Sequence, residues 1–567
     1  MERVIGISCH YHDSAVALVD RGGIVFAMQE ERLSRNKHDS RFPTLALSRA
    51  LEVGQLRIEG LDEIAFYENP EVKFDRIWHQ ILHDWPNSKE LFSVHTPYFW
   101  HHRRPVEQQI RANYDYRGPV TFSEHHRSHA ASAFYTSPFE RALVVTLDGI
   151  GEFETAAVHL GEGNSLAKVK SIHFPHSLGL LYSVFTQYLG FEVNEGEYKV
   201  MGLAPYGEPE YLDRIVGPIL RLATDGSFSL DPSFFTFSDR GRHYHPRLID
   251  FLGIPPRTRR DDPMTQAHKN LAASMQRALE VAMANMLRAL IKEYGIRDVC
   301  FAGGVALNCT ANARMIRELG IRSHIHPAAG DAGTALGVAL DAAVRGSGRR
   351  DTMRFAFTPY LGMSYSEAAT EMTFKLNDIP YRRSPDVAAE IGAKLARGEV
   401  VAIVHGRDEW GPRALGARSI LADPRGPEMK DHLNAKIKFR EEFRPFAPVV
   451  LEEHYGEYFE TLGMPSSPYM LYTHTSLQPE KTAAVTHADQ TSRVQTVSRT
   501  QNAYLYGIID EFRKITGVPV ITNTSFNLKG EPMVSSPSDA LKTFYASGID
   551  CLAVEDFLVE KQPEGSA

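Results

Sequence analysis

A chain of 567 residues with 43% hydrophobic and 23% charged side chains is too long for one core and too apolar to be disordered. At roughly 150 residues per domain it should hold two to four units. Its 62 Lys/Arg against 70 Asp/Glu give a formal charge of −8, the wrong sign for a general nucleic-acid binder. No stretch approaches the roughly 20 apolar residues of a membrane span.

Cys9, Cys300, Cys309 and Cys551 are too scattered for a disulfide framework or a cysteine-rich zinc site. The opening MERVIGISCHYHDSAVALVD has charges and a histidine where a secretory leader needs an apolar run. A cytoplasmic location is therefore expected.

In chain order, Val4–Ser8 reads as a strand, His10–Ser14 as a turn-rich loop and Ala15–Asp20 as a second strand. Gly22-Gly23 then makes a tight hairpin into Ile24–Met28. The pattern returns with strand Ala142–Asp148, polar loop GIGEFE, strand Thr155–Leu160, hairpin Gly161–Gly163 and strand Val169–Phe174. A repeat of this size bears on the whole fold. Duplicated units of this kind resemble the actin/sugar-kinase superfamily, in which two mixed α/β lobes face a nucleotide cleft; the alternative is two unrelated hairpins.

Residues 264–294 carry apolar side chains at helical spacing, ended by Gly295. A buried strand, Asp298–Ala302, runs into Gly303-Gly304. A helix over Ala311–Leu319, a strand over Ser323–His326, the loop PAAGDAGT and a small-residue helix over Ala335–Val344 follow. Strand–glycine loop–helix units of this kind present backbone N–H groups where phosphates bind. The polar stretch 345–352 reads as a linker, so the second domain should begin near 351. Beyond it, Ser364–Phe374 and Asp386–Ala396 read as helices and Val400–Val404 as a buried strand. Ser536-Pro537 is an ordinary capped helix start.

His125 and His129, four residues apart in SEHHRSHAASAF, project from one face of a helix and suit two ligands on one ion. His126 faces elsewhere and reads as structural. Asp148, ending its strand, and Asp331, in the glycine loop, stand where carboxylates ligate a metal or orient a phosphate; turn and cap roles are the alternatives. His12, in the matching loop of the first repeat, suits a general base. Toward the C-terminus, Arg413, Arg418, Lys438, Arg440, Arg444 and Arg493 lie near glycine and proline turns. They suit a compact oxyanion such as phosphate, against an alternative of surface ion pairs. Strand VIT ends in Asn523, Thr524, Ser525 and Asn527, a cluster of small hydrogen-bonding groups.

Taken together, YHDSAVALV, EERLSRNKHD, HHRSHAASAF, EYKVMGLAPYG, GGVALNCTAN, GDAGTALG, GPRALGARSILADPR, IKFREEFRPFAP, RVQTV and NTSFNLKGEP resemble the family of nodulation protein U and the cephamycin and tobramycin O-carbamoyltransferases, over nearly the whole chain. The resemblance implies an actin-like domain over 1–350, related to threonylcarbamoyl transferases. It implies a YrdC-like α/β domain over 351–567 that makes carbamoyl-adenylate from carbamoyl phosphate and ATP with Mg²⁺. It puts a divalent metal, with iron expected, on His125, His129, Asp148 and Asp331, and the general base on His12. Lys199, Gly303, Gly304 and Asn308 fall on the nucleotide motifs of the first domain. Arg413, Arg418, Lys438, Arg444, Arg493, Asn523 and Ser525 fall on the carbamoyl phosphate and ATP site of the second, with Lys438 and Arg413 in catalytic roles.

A hydroxylated small molecule is then the expected acceptor, in secondary metabolism such as antibiotic biosynthesis, with no nucleic-acid or membrane partner and room for a homodimer. The competing readings are a tRNA threonylcarbamoyl transferase, an actin-fold small-molecule kinase and a non-enzymatic scaffold. Residues 77–104 and 234–262 shape either an acceptor pocket or lobe packing.

Overall fold

The computed structural model describes residues 3–21, 23–237, 241–259, 262–347, 355–438, 440–441 and 443–561. The chain forms two compact units: Met1–Phe26 with Ser40–Phe357, and Ala27–Asp39 with Thr358–Ala567. The expected boundary near 351 falls among the undescribed residues 348–354. The expected contiguity of residues 1–350 needs correction, because 27–39 belongs with the C-terminal unit. The reason is chemical: within that unit Arg32 donates to the Gly411 carbonyl, and Arg35 donates to the Met533 and Pro532 carbonyls.

The first unit contains a repeated sheet. Strands β1 (Arg3–Ser8), β2 (Ala15–Asp20), β3 (Gly23–Gln29), β4 (Glu63–Phe66) and β5 (Val120–Phe122) stand in the order β3-β2-β1-β4-β5. A second sheet holds β6 (Arg141–Leu147), β7 (Glu154–Glu162) and β8 (Ser165–His173), with β9 (Leu220–Leu222) and β10 (Phe228–Leu230) forming a separate ribbon. Adding β11 (Asp298–Ala302) and β12 (Arg322–Ile325), it runs β12-β11-β6-β7-β8, the same topology read backwards. In both sheets the first strand pairs antiparallel with the second and parallel with the fourth. The duplication expected from the sequence is therefore present. The hairpin glycine Gly22 lies outside the described residues.

Each sheet is followed by a helix that packs on the other sheet. Helix His125–Tyr135, entered from β5, lies against β6, β7 and β11; helix Ala332–Gly346, entered from β12, lies against β1, β2 and β4. The two helices also pack on each other, which needs small residues. A Cβ on Gly337 would come within 1.8 Å of the Ser128 carbonyl oxygen, so that crossing tolerates only glycine. The helix-swapped arrangement carries the starts of both helices, and the loops after β1 and β6, toward one place.

Segment boundaries differ modestly from the sequence expectations. The long helix is Gln266–Tyr294, capped by Thr265, and the helix expected from Ser364 starts at Glu367 because Ser366 caps it. Residues 70–104 form helices Pro70–His83 and Lys89–Tyr98 and a π-helical turn, whereas 234–262 contains only the short helix Pro246–Leu252 among its described residues. Two buried cations, Lys73 and Arg103, fix the first of these segments by pairing with Glu68 at 3.0 and 3.2 Å.

The second unit is built on an eight-stranded sheet. Its strands are β13 (Arg382–Arg383), β14 (Val401–Val404), β15 (Arg418–Ala422), β16 (Ala447–Leu451), β19 (Gln495–Val497), β20 (Val520–Ser525), β21 (Cys551–Val554) and β22 (Phe557–Glu560); β17 (Thr473–Thr475) and β18 (Thr491–Arg493) form a ribbon. The sheet order is β13-β22-β21-β14-β15-β20-β16-β19. Strand β14 explains the continuous apolar run: Val401 and Ile403 face one buried cluster, with helices Val387–Ala396 and Ala503–Thr516, while Ala402 and Val404 face another. A strand covered on both faces has no polar alternation.

Candidate metal centre and oxyanion site

His125 is the first residue of its helix, and its backbone N–H donates to both Glu152 carboxylate oxygens at 3.1 and 3.2 Å. Glu152 also accepts from the Asn69 N–H at 2.9 Å, so one buried carboxylate sets the entry of the helix. Its role was not apparent in the motif GIGEFE, where nothing marks it from a loop acid. One turn on, His129 presents its ring on the same face, and the two Nε2 atoms stand 3.1 Å apart.

Asp148 follows β6 directly. Its Oδ2 lies 2.9 Å from His125 Nε2 and 3.6 Å from His129 Nε2, and its Oδ1 accepts from the Gly304 N–H at 3.0 Å. Asp331, at the start of the second swapped helix, brings Oδ1 to 3.4 Å from His129 Nε2 and 3.8 Å from His125 Nε2. All four side chains are buried, and one ligand atom from each lies within 4.8 Å of the others.

Two imidazoles and two carboxylates converging in a buried pocket fit a divalent first-row cation. The local electrostatics agree. Burial alone would lower the His129 pKa, but hydrogen bonds and charge from Asp148 and Asp331 outweigh it and raise the ring to about 9. Burial opposes ionisation of Asp148 too, yet its hydrogen bonds with His125 and His129 hold it well below the usual carboxylate range. The donor set thus carries negative charge that asks for a cation.

His12 joins the edge of this group: Nε2 lies 3.6 Å from Asp331 Oδ2, and Nδ1 lies 2.9 Å from Asp13 Oδ2. Burial is again outweighed, here by Asp331 and Asp13, and the ring is raised to about 10. His126, in contrast, turns away to Thr146 Oγ1 at 2.7 Å and the Glu154 carbonyl at 3.0 Å. Burial holds it neutral, in keeping with a structural role.

Of the expected nucleotide motif, Gly303 and Gly304 stand beside Asp148. Gly303 has φ +90°, and a Cβ there would meet the Leu147 carbonyl oxygen at 2.2 Å, so the close turn requires glycine. Asn308 Oδ1 caps the Ala311 N–H at 3.0 Å, and its amide pairs reciprocally with Gln276 at 2.9 and 3.1 Å. Gln276 sits on the long helix among the buried polar groups Tyr182 and Glu280, and no sequence spacing links these residues. Lys199 is partly buried, 5.6 Å from the Phe191 ring centroid.

In the second unit, β20 brings several expected residues together. Lys438 Nζ donates to the carbonyl and hydroxyl of Ser525 and, at 2.9 Å, to both the carbonyl and Oδ1 of Asn527. Burial, with Arg440 and Arg444 adding positive charge, pulls this amine well below the usual lysine range. Asn523 donates to Gln495 Oε1 at 2.7 Å and the Ala414 carbonyl at 3.2 Å, linking β20 to the loop that carries Arg413. Arg493 ends β18, two residues before Gln495. Arg444 pairs with Glu441 at 3.7 Å.

Arg418 corrects the sequence reading. It is fully buried, with Nε 2.6 Å from Asp408 Oδ1, and its three nitrogens donate to the carbonyls of Ser535, His405, Ala417, Met363 and Gly406. A guanidinium so fully engaged ties loops together and has no donor left for a phosphate.

Fold and site define a two-unit α/β protein whose duplicated unit holds a buried His₂Asp₂ cluster that could hold a cation. The chain belongs to the carbamoyltransferase family: the model of the carbamoyltransferase N-terminus matches residues 3–340 and that of the C-terminus residues 392–561. An uncharacterized protein of Synechocystis sp. is 40% identical over all of this chain and 98% of its own. Nodulation protein NolNO of Sinorhizobium fredii is 37% identical over 97% of this chain and 79% of its own, and nodulation protein U of the same species is 29% identical over the full length of both. No helix of the described residues is long and apolar enough to cross a membrane.

Proposed function

We propose that this carbamoyltransferase is an ATP-dependent O-carbamoyltransferase working in two stages. The C-terminal unit, in a YrdC-like role with Mg²⁺, hydrolyses carbamoyl phosphate to carbamate and phosphate; a carbamate oxygen then attacks the α-phosphate of ATP, forming carbamoyl-adenylate and releasing pyrophosphate. The N-terminal unit transfers the carbamoyl group to a hydroxyl of a small secondary metabolite. The observation that carries this reading is the buried convergence of His125, His129, Asp148 and Asp331 in a chain whose second unit holds a separate Lys438–Ser525–Asn527 cluster.

His125, His129, Asp148 and Asp331 would hold a divalent cation, iron being the proposed identity. When bound, the cation supplies Lewis acidity and a fixed point for an anionic ligand. His12 faces the same carboxylates and can take the hydroxyl proton at Nε2. Its raised basicity belongs to the uncompensated field of Asp331 and Asp13, and positive charge on Asp331 lowers it toward the working range of a base. Asp13 at Nδ1 holds the ring. In the other unit, Arg413 would offset charge on the departing phosphate, and Lys438 would hold Ser525 and Asn527 at the site.

The test is reconstitution with Fe²⁺, carbamoyl phosphate, Mg·ATP and a panel of hydroxylated acceptors. Mass spectrometry should show a gain of one carbamoyl group, dependent on both ATP and the cation. Carbamoyl transfer that proceeds without ATP would overturn the adenylate route.

A further inference from the structure

Within the C-terminal unit, Arg32 is 2% exposed, yet only Nη2 has an acceptor, the Gly411 carbonyl at 2.9 Å. Nε and Nη1 are buried and meet no acceptor among the described residues. This is unlike its neighbours. Arg418 spends all its nitrogens on protein oxygens, and Arg35 bonds three carbonyls and lies 3.4 Å from Asp539. A guanidinium cannot escape burial by losing its proton, and each unmade hydrogen bond costs about 1–3 kcal/mol. A sequence that keeps such an arginine buried has a use for its open donors.

The surroundings point to the ligand. Trp410, beside Gly411 in sequence, is fully buried, and its indole Nε1 also lacks an acceptor. Arg32 and Trp410 together offer N–H donors only, so the missing partner must be rich in acceptors. Asp408 pairs with Arg418 at 2.6 Å, and Glu409 Oε1 accepts the N–H groups of Leu415, Ala417 and Arg418 at 2.7 to 2.9 Å. Glu409 Oε2 is buried without a hydrogen-bond partner, yet no carboxylate forms an ion pair with Arg32 among the described residues.

We propose that Arg32, with Trp410, binds an oxyanion of the phosphate class in the C-terminal unit. Resting on the reading above, that oxyanion is the phosphate of carbamoyl phosphate. The segment 27–39 would then supply the unit with a substrate-binding residue as well as structural ties.

The experiment is calorimetric titration of the full chain and its Arg32→Gln and Arg32→Lys variants with inorganic phosphate and with carbamoyl phosphate. The expected result is at least tenfold weaker binding of both by Arg32→Gln and an intermediate loss in Arg32→Lys, which keeps charge without the planar fork. A thermal melt of the full chain, measured alongside, reports folding, and cation binding at the His125 site should be unchanged. If Arg32→Gln fails to fold, Arg32→Lys decides. Affinity within twofold of the parent in any folded variant overturns the assignment. A parent chain that binds phosphate but not carbamoyl phosphate would defeat the reading of the substrate and leave the oxyanion role standing; one that binds neither defeats both.

Discussion

His125 Nε2 and His129 Nε2 stand 3.1 Å apart with carboxylate oxygens of Asp148 and Asp331 within 3.8 Å of each. Two ring nitrogens at that distance either share a proton or point at a common cation. Removing one should therefore cost the cation far more than the fold. His129→Ala is expected to lower Fe²⁺ affinity at least about a hundredfold, as judged against the 10–100-fold typical of outer-sphere partners. It should abolish transfer from supplied carbamoyl-adenylate and leave adenylate formation intact, read by nucleotide exchange.

Lys438→Ala should do the reverse. Its amine holds Ser525 and Asn527 and meets no carboxylate in its ring of contacts, so adenylate formation should fall to background. Transfer from supplied carbamoyl-adenylate should persist. Equal loss of both half-reactions in either variant would refute the two-site scheme.

The proton on His129 competes with the cation. Because the ring is raised to about 9, it is protonated at neutral pH and must lose that proton to ligate. Cation affinity should rise with pH, by up to about tenfold per unit, and level off above about 9. Asp148, held low, stays ionised throughout and adds no slope in that range. Calorimetric titrations at several pH values, corrected for buffer ionisation, check the proton release; a flat profile from pH 6 to 9 would contradict it.

Arg418 and Arg413 should part company. Arg418→Ala leaves the buried Asp408 unpaired and should destabilise the C-terminal unit by about 3–5 kcal/mol. Arg413→Ala should weaken carbamoyl phosphate binding out of proportion to any change in melting temperature. Thermal melts beside ligand titrations separate the two effects.

Glu68 ties the 70–104 segment through Lys73 and Arg103. Burial opposes its ionisation, but those cations prevail and lower it to about 2. Its contribution to stability is present above about pH 4.5 and is lost as pH falls toward 2. Glu68→Gln should therefore lower the melting temperature at pH 7, with the difference from the parent shrinking in acid.

Much of this was legible in the sequence. The duplicated hairpins announced themselves because alternation and glycine turns are local signals. The histidine pair stood out because four residues is one helical turn, Asp148 because it ends a strand of the repeat and Asp331 because it sits in a glycine loop; their grouping as one ligand set came from the family resemblance. What stayed hidden depends on distant neighbours. A lone Glu152, or Gln276 on a long helix, has no periodicity to betray its partner. Arg413 and Arg418 look alike in GPRALGARS, and only tertiary packing shows that five carbonyls occupy the second. Residues 27–39 read as a continuation of the first domain because chain adjacency is the default, and nothing local records an engagement with residues 411 or 533.

That engagement also sets an order of events during synthesis. Arg35 and the Met533 carbonyl it binds are 498 residues apart. At roughly 5–20 residues per second, the segment 27–39 leaves the ribosome about 25–100 s before its partners exist. Through that interval the N-terminal unit can assemble its sheets, but the strap carrying Arg32 and Arg35 must wait undocked. The C-terminal unit closes only on a piece of chain made several hundred residues earlier. Ribosome-bound chains truncated near residue 350 should thus show a protease-sensitive site at 27–39 that vanishes on completion, and that window is where a chaperone would find its target.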